Sequence, residues 1–491
     1  MRFLLDTNIL IPLEDSQIPL VDSLAHFVRL ASKYGHQLVY HPASEDDIER
    51  DSNLDRRART LQRLKQYTCL DTRHHCPWNT SDTDVNDASD NEILYALQCD
   101  AVHALVTEDR GIHDKAKARG LVDRVYTIQT AEDWLRRLHE KQSVQLPNVE
   151  EVDLYSLTPR LDDSFFDSLR NSYDKFDEWF RAKAREGRKA WLTREADGQL
   201  GAICIFAHQS HEQITEEGRI LRDAALKLST FKVGPAVRGR KIGELFLKAA
   251  FRYATAHGLQ EIFIHGDVDQ HHFLFELLED FGFSRVGTHP GSNGRDAVYL
   301  KEHPVEAPKV LLEPFEYHRQ FFPHFRHDDA VAKFIVPIRY EYHRVLFPDY
   351  ATAEADQLAL FKSENQAGNA IKLAYLCHAQ TKIMTPGDIV LFYRSGDESA
   401  ITSLGVVESY ETLDNSDTVA SRVKRRTVYS MKEITELVKQ PTRVMLFRLV
   451  KHFKKPLSLE WLKHKHVTKG APQSIMRISA TAFEGVLAHG A

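Results

Sequence analysis

The first ten residues set the strongest constraint on the fold. Phe3-Leu4-Leu5 is a short apolar run that ends on Asp6, followed by Thr7-Asn8 and more apolar residues. A continuous rather than alternating run is the pattern of a parallel strand buried on both faces. An acid directly after such a strand falls at the carboxyl edge of the sheet, where open α/β folds place ligands and chemistry. Taken alone, Asp6-Thr7-Asn8 reads equally as a turn whose side chains bond their own backbone. The deciding question is whether other acids join Asp6.

Strand and helix signals alternate from Phe3 to Leu138. The pattern predicts helices over 20–34, 43–66, 86–98, 110–119 and 130–140, and strands over 37–40, 103–107 and 124–128. Such alternation implies a parallel sheet covered by helices. Glu45 falls in the first turn after one strand, Asp90 begins a helix, and Asp109 follows the strand ending at Thr107. A parallel sheet can gather all four acids on one edge. Packed carboxylates repel, and an oxygen-only cluster suits Mg²⁺ or Mn²⁺ as the neutraliser. Asp46 and Asp47 compete with Glu45 for the second position, and Asp87 is an accessory candidate beside the loop acids Asp82 and Asp84. Arg56, Arg57 and Arg59 fit either phosphate contacts or a solvated helix face.

The set Leu4-Leu5-Asp6-Thr7-Asn8, an acid on the second helical region, Asp90-x-x-Ile93 and Thr107-Glu108-Asp109 resembles a PIN-domain nuclease over residues 1–140. The resemblance implies that Asp6, Glu45, Asp90 and Asp109 are catalytic and hold one or two divalent ions, Mg²⁺ or Mn²⁺. The ions would activate water for attack on a phosphodiester. Thr7, Asn8 and Thr107 would orient carboxylates or water.

After a linker over 141–159, an amphipathic helix is expected from Asp163 to Arg185, then strands over 189–193, 200–207 and 222–233. A strand next enters a Gly- and Arg-rich turn that leads into an apolar helix: Val233, then Arg238, Gly239, Arg240, Lys241, Ile242 and Gly243. Backbone N–H groups at such a helix start cradle phosphate. The order strand 261–264, helix 270–280, Phe281-Gly282-Phe283 and strand 284–286 follows. Residues 150–305 thus resemble the GNAT acetyltransferases, which implies an α+β fold and acetyl-CoA as cofactor on those seven residues. Lys241 stands where the motif usually has Gly. Leu278 stands where many members have the Tyr that protonates the departing thiolate. His265, Asp267, His271 and His272 lie nearby in sequence.

A second linker covers 306–329. Beyond it, strands are expected over 332–339, 388–393, 403–407 and 443–453, with helices over 370–380 and 458–466. Pro386-Gly387-Asp388 before the run Ile389–Arg394, followed by the strand from Leu404, resembles a PUA-like β-barrel of the ASCH or EVE kind over 320–491. That resemblance implies RNA binding, with Tyr393, Arg394, Lys424, Arg425 and Arg426 as contacts and 470–475 as a further segment. For any one aromatic, barrel core is the competing assignment. The helix over 458–466 would carry Lys463 and Lys465 outward.

Charge separates the two ends. Residues 1–150 hold 18 Lys/Arg and 25 Asp/Glu, whereas 421–470 hold 14 against 3. A concentrated basic tract points to a polyanion. No apolar run is long enough for a membrane helix. The N-terminal segment lacks a secretory pattern, and five cysteines without C-x-x-C spacing argue against a disulfide framework or zinc knuckle, so a reducing cytoplasm is expected.

The expected architecture is α/β multidomain. The expected function is a metal-dependent ribonuclease joined to an acetyl-CoA-binding acetyltransferase module and an RNA-binding domain. The two enzyme-like folds also occur among bacterial toxins acting on translation, which by association adds a toxin or RNA-processing role and a cognate inhibitor protein as partner. The alternatives are a nucleic-acid-binding regulator with degenerate enzyme folds, or an acetyltransferase acting on an RNA-bound substrate.

Overall fold

The computed structural model describes residues 1–14, 21–70, 76–79, 83–140, 148–195, 197–234, 241–290, 292, 294–350, 365–367, 370–381 and 383–490. The chain divides into two compact units. One comprises Met1–Ser143 with Thr412–Thr442, the other Val144–Glu411 with Arg443–Ala491.

The first unit is built on β1 (Arg2–Leu5), α1 (Thr7–Glu14), α2 (Asp22–Lys33), β2 (Gln37–Tyr40), α3 (Pro42–Glu49), α4 (Leu54–Leu64) and β3 (Thr68–Cys69). It continues with α5 (Val85–Gln98), β4 (Ala104–Val106), α6 (Arg110–Ala118), β5 (Val125–Tyr126) and α7 (Ile128–His139). The five strands lie in the order β3-β2-β1-β4-β5, and every pairing is parallel. Helices cover both faces, which is why β1 is apolar and buried from Phe3 to Leu5. Phe3 packs edge-on against Phe27 of α2 and Trp134 of α7. Leu4 points the other way, into a cluster with Ile93, Leu97, Leu105 and Ile112.

Two expectations change here. Asp6-Thr7-Asn8 does not form a free turn, because α1 starts at Thr7 and its first bonds return to the Asp6 carbonyl. The single helix expected over 43–66 is two, since Asn53 caps α4 by accepting from the Arg56 amide. The segment Thr412–Thr442 adds two helices, Ser416–Val423 and Met431–Leu437, the second opened by a Ser430–Glu433 capping box.

The second unit begins with β6 (Asn148–Asp153), α8 (Asp167–Ser172), α9 (Phe176–Arg185), β7 (Lys189–Arg194), β8 (Leu200–Gln209) and β9 (Ala225–Val233). It proceeds through α10 (Ile242–His257), β10 (Glu261–Asp267), α11 (His272–Asp280), β11 (Ser284–Thr288) and β12 (Asp296–Glu302). Part of the expected linker is therefore strand β6. The helix expected over 163–185 is broken where Lys175 takes a left-handed conformation, φ 62°. The first sheet runs β11-β12-β10-β9-β8-β7-β6 and ends on a short strand, Asn365–Ala367. Its pairings are antiparallel except one: β9 and β10 run parallel, from Ala225↔Glu261 to Leu228↔Ile264. Both strands continue past that point, β9 to Val233 and β10 to Asp267, without further pairing to each other.

The second sheet of this unit has six strands: Lys372–Cys377, Thr442–Ser458, Ala400–Leu413, Ile389–Ser395, Lys333–Arg339 and Met476–Ile478, in that spatial order. The helix expected over 370–380 is the edge strand Lys372–Cys377, paired with Arg443–Arg448. Neighbouring backbone overrides a weak helical signal there. Among the described residues, no helix is long and apolar enough to cross a membrane.

A buried polar chain links the two sheets of this unit. Lys248 Nζ on α10 donates to Asp349 Oδ2 at 2.8 Å, Asp349 Oδ1 meets His452 Nε2 at 3.0 Å, and His452 Nδ1 meets Ser403 Oγ at 2.8 Å. Burial opposes the Asp349 charge, yet Lys248 and His452 hold its carboxyl well below the usual range. Removing one partner strands the other charge in the interior. Asp349→Ala is expected to cost about 3–5 kcal/mol in urea unfolding, whereas Lys248→Met combined with Asp349→Leu recovers most of that loss.

Candidate functional site

The first unit places Asp6 at the carboxyl edge of β1, 4% exposed. Its Oδ1 accepts from the Thr7 amide at 2.7 Å and its Oδ2 from Thr107 Oγ1 at 2.6 Å. Thr107 Oγ1 in turn accepts from Asn8 Nδ2 at 3.1 Å and the Asp109 amide at 2.9 Å, and Asn8 Oδ1 accepts from the Glu108 amide at 3.2 Å. The ends of β1 and β4 are therefore cross-tied by Thr107 and Asn8. Asp109 caps α6 by accepting from the Ile112 amide.

Electrostatics join three of the four expected acids. Burial pushes the Asp6 carboxyl up to about 6 despite the bonds from Thr107 and Thr7, and the charges of Asp90 and Asp109 add to the rise. Burial likewise raises Asp90; the Lys115 ammonium opposes this, while Asp109 and Asp47 reinforce it. Glu45 is committed elsewhere, accepting from Tyr40 Oη at 2.7 Å. On α3 it is Asp47, rather than Glu45, whose charge acts on Asp90.

The acids do not close into a coordination shell. Among the described residues, Asp6, Glu45, Asp90 and Asp109 supply no three donor atoms all within 4.8 Å of one another. Lys115 instead bridges Asp90 at 2.8 Å and Asp87 at 2.6 Å. An ammonium thus supplies part of the neutralisation expected of a cation. The oxygen-only donor set still suits a hard divalent ion. Arg56 is held by Asp51, and Arg57 donates to the Glu49 carbonyl, so both have partners within the fold.

In the second unit the expected cofactor turn is described only in part. Arg238, Gly239 and Arg240 lie outside the described residues. Val233 ends β9 opposite Ala202, and Ile242 is buried at the start of α10. Lys241, the residue before α10, has φ 57°, a left-handed geometry suited to glycine, and its Nζ donates to the Lys372 carbonyl at 2.7 Å. A Cβ on Gly243 would come within 2.7 Å of Leu277, so glycine there lets α10 approach α11. Leu278 is fully buried in the helix-facing core and offers no proton.

Where β9 and β10 part, a polar cluster gathers. Ile262 and Ile264 face the core formed with α10 and α11, while Phe263 faces the opposite side with Ala225 and Val298. His265 shares the Phe263 side by strand alternation. Its Nδ1 lies 3.1 Å from Asp296 Oδ2 on β12, and its ring stacks on His289 at 3.7 Å between centroids. The bond from His265 lowers the Asp296 pKa against its burial. Burial brings His289 down to about 4. Burial raises the Tyr173 phenol, with Asp296 and Asp267 adding to the rise. Tyr173, His289 and Asp296 were not legible as a site in the sequence. They come from the α8–α9 junction, the end of β11 and the start of β12, and tertiary packing brings them to His265.

The barrel contacts expected for RNA are corrected. Tyr393 is 1% exposed and belongs to the core, so its ring is not presented to a base. Arg394 is held by Asp397 at 2.5 Å and Glu398 at 3.2 Å, with Tyr340 beneath it. Lys424 pairs with Asp123 at 2.6 Å inside the first unit. Arg426 is buried, and the Arg425 side chain lies outside the described part.

Residues 370–489 match the family model of the EVE domain. No curated protein matches the chain. Among solved structures, ASCH from Zymomonas mobilis aligns at 13% identity over 32% of this chain and 96% of its own, with a TM-score of 0.24. An acetyltransferase of the GNAT family from Staphylococcus aureus Mu50 aligns at 11% identity over 32% and 99%, TM-score 0.25. Aminoglycoside 6′-acetyltransferase type Ii aligns at 20% over 31% and 96%, TM-score 0.24. At such scores, what can be said of function depends on the strand order and side chains above. The chain is a multidomain α/β protein with one parallel and two mixed sheets and an EVE-type segment.

The raised Asp6 pKa has a measurable sign. Above about 6 the folded protein carries the cost of a buried charge; below the unfolded value of 3.8 that cost is absent. Stability of the first unit should fall by about 2–3 kcal/mol between pH 4 and 7 through this group. In Asp6→Asn that pH dependence should disappear, as followed by denaturant unfolding at each pH.

Proposed function

We propose that the chain is an acyl-CoA-dependent acyltransferase whose barrel binds nucleic acid, RNA being the favoured class. The parting of β9 from β10 carries this reading. Beyond Leu228 and Ile264 the two parallel strands no longer pair with each other, the setting in which an extended, amide-bearing ligand adds like a strand. The resemblance of Val233–Gly243 to a pyrophosphate turn supports the same ligand. Lys241 keeps the left-handed backbone that a glycine would supply at this position. Acetyl-CoA, when bound, supplies an activated acyl carbonyl.

His265 provides the proton chemistry. Ionised Asp296 only accepts, so His265 Nδ1 carries the hydrogen between them and Nε2 keeps a lone pair. Nε2 takes the proton of an amine or hydroxyl acceptor and afterwards returns it to the leaving thiolate, a role that Leu278 leaves vacant. His265→Gln and Asp296→Asn should keep acetyl-CoA affinity in calorimetry and lower CoA-thiol release, with spermidine as probe acceptor, about 100-fold. Absence of acetyl-CoA binding sinks this reading.

A second reading, a divalent-metal-dependent ribonuclease in the first unit, is favoured by one observation: the charges of Asp90 and Asp109 both raise the cost of ionising Asp6, and that of Asp109 raises the cost of ionising Asp90. Asp6, Asp90 and Asp109 would hold Mg²⁺ or Mn²⁺, with Asp47 competing with Glu45 for the remaining place. Mn²⁺ should raise the melting temperature of wild type at pH 7.5 and not that of Asp6→Asn, and labelled RNA should be cut only by wild type. Equal cleavage by Asp6→Asn and Asp90→Asn removes the assignment. If neither chemistry is found, a nucleic-acid-binding regulator is the remaining reading. Five cysteines, none of them in a disulfide, support a reducing, cytoplasmic setting.

A further inference from the structure

The basic tract counted in the sequence does not stay together in the fold, and its last part meets a groove. The helix Leu459–His464 and the final helix, Ala480–Gly490, enclose a groove of about 410 Å³ lined by Trp461, Lys465, Val467, Ala482, Gly485 and His489. Trp461 and His489 stack across it, with centroids 4.6 Å apart and planes 15° from parallel. Small residues on the final helix leave the floor open: a Cβ built on Gly485 meets nothing within 4 Å. Lys463, His464, Lys465, His466 and Lys469 are all exposed on the same helix and the loop after it. Between 451 and 470 the chain has six lysines and one acid, Glu460.

We propose that this groove is a binding site for single-stranded nucleic acid. A flat base stacks with the Trp461–His489 pair, and Lys463, Lys465 and Lys469 take the flanking phosphates. The combination of an aromatic platform with a basic border is the general means of holding single strands. An acidic peptide would satisfy the lysines but leave the aromatic slot unused. The site rests on the reading of the barrel as nucleic-acid-binding, and it replaces the contacts that the fold has consumed at Tyr393, Arg394 and Lys424.

The test uses the full chain and fluorescein-labelled 12-nucleotide oligo(U) and oligo(dT), with poly-glutamate as competitor. Trp461→Ala is expected to weaken binding about 10-fold or more with the salt dependence unchanged. Lys463→Gln with Lys465→Gln should instead flatten the dependence on salt. Gly485→Phe fills the groove while leaving every lysine in place, and should match Trp461→Ala. Circular dichroism and melting of each variant serve as fold controls. If the wild type binds but Trp461→Ala and Gly485→Phe bind equally well, the groove is not the site, while the nucleic-acid reading stands. If the wild type binds neither oligonucleotide, both fall. Equal competition by poly-glutamate makes the surface a general polyanion patch and overturns the stacking claim. Preference for oligo(U) or oligo(dT) assigns RNA or DNA as the source.

Discussion

The second unit depends on a pairing that stops. β9 and β10 are the one parallel pair in an otherwise antiparallel sheet, and they stay together for four residues only. A parallel connection needs a crossover, and α10 supplies it, so the helix that follows the Gly- and Arg-rich stretch of sequence is also the element that joins the two strands. Its apolar face, with Leu245, Phe246 and Phe251, buries Ile262 and Ile264 behind the point of separation. The strands are held by this core on one side and left apart on the other. His265 follows the last paired residue of β10, at the boundary between the two regimes.

The legible parts of the sequence were those in which one local pattern had one outcome. β1 and β2 read directly because a strand buried on both faces leaves an unbroken apolar signature. The acids at strand ends were also visible, since position along a parallel strand fixes the sheet edge. What sequence spacing did not carry was direction. Glu45 and Asp47 lie two residues apart on α3, yet one accepts from Tyr40 and the other acts on Asp90. Edge strands were least visible: β6 and Lys372–Cys377 are defined by their neighbours more than by their own residues. The His265 cluster was hidden for a related reason, because Tyr173 and Asp296 are brought close only by tertiary pairing.

Basic residues illustrate how counting and folding diverge. The tract over 421–470 looked like one polyanion-binding surface. In the structure Lys424 serves an ion pair in the first unit, Arg448 is buried against Asp280 at 2.7 Å, and the lysines beyond the long strand Thr442–Ser458 form an exposed group on one helix and loop. A buried guanidinium and a solvent-facing ammonium contribute equally to net charge, and only the latter is available to a phosphate without a desolvation cost already committed elsewhere.

The attachment of α10 has a consequence for modularity. Lys241 just before the helix, and Glu244 and Lys248 within it, lie about one turn apart and reach out of the first sheet's core: Lys241 to the Lys372 carbonyl, Glu244 to the Lys372 amide, and Lys248 to the buried carboxylate of Asp349. The eight-stranded and six-stranded sheets of this unit are therefore not interchangeable cassettes joined by a tether. Cutting between them leaves an ammonium facing apolar surroundings, and grafting either onto another partner requires that partner to reproduce three polar contacts in register. Any lineage that reshuffles these two sheets must carry the α10 seam with them or rebuild it.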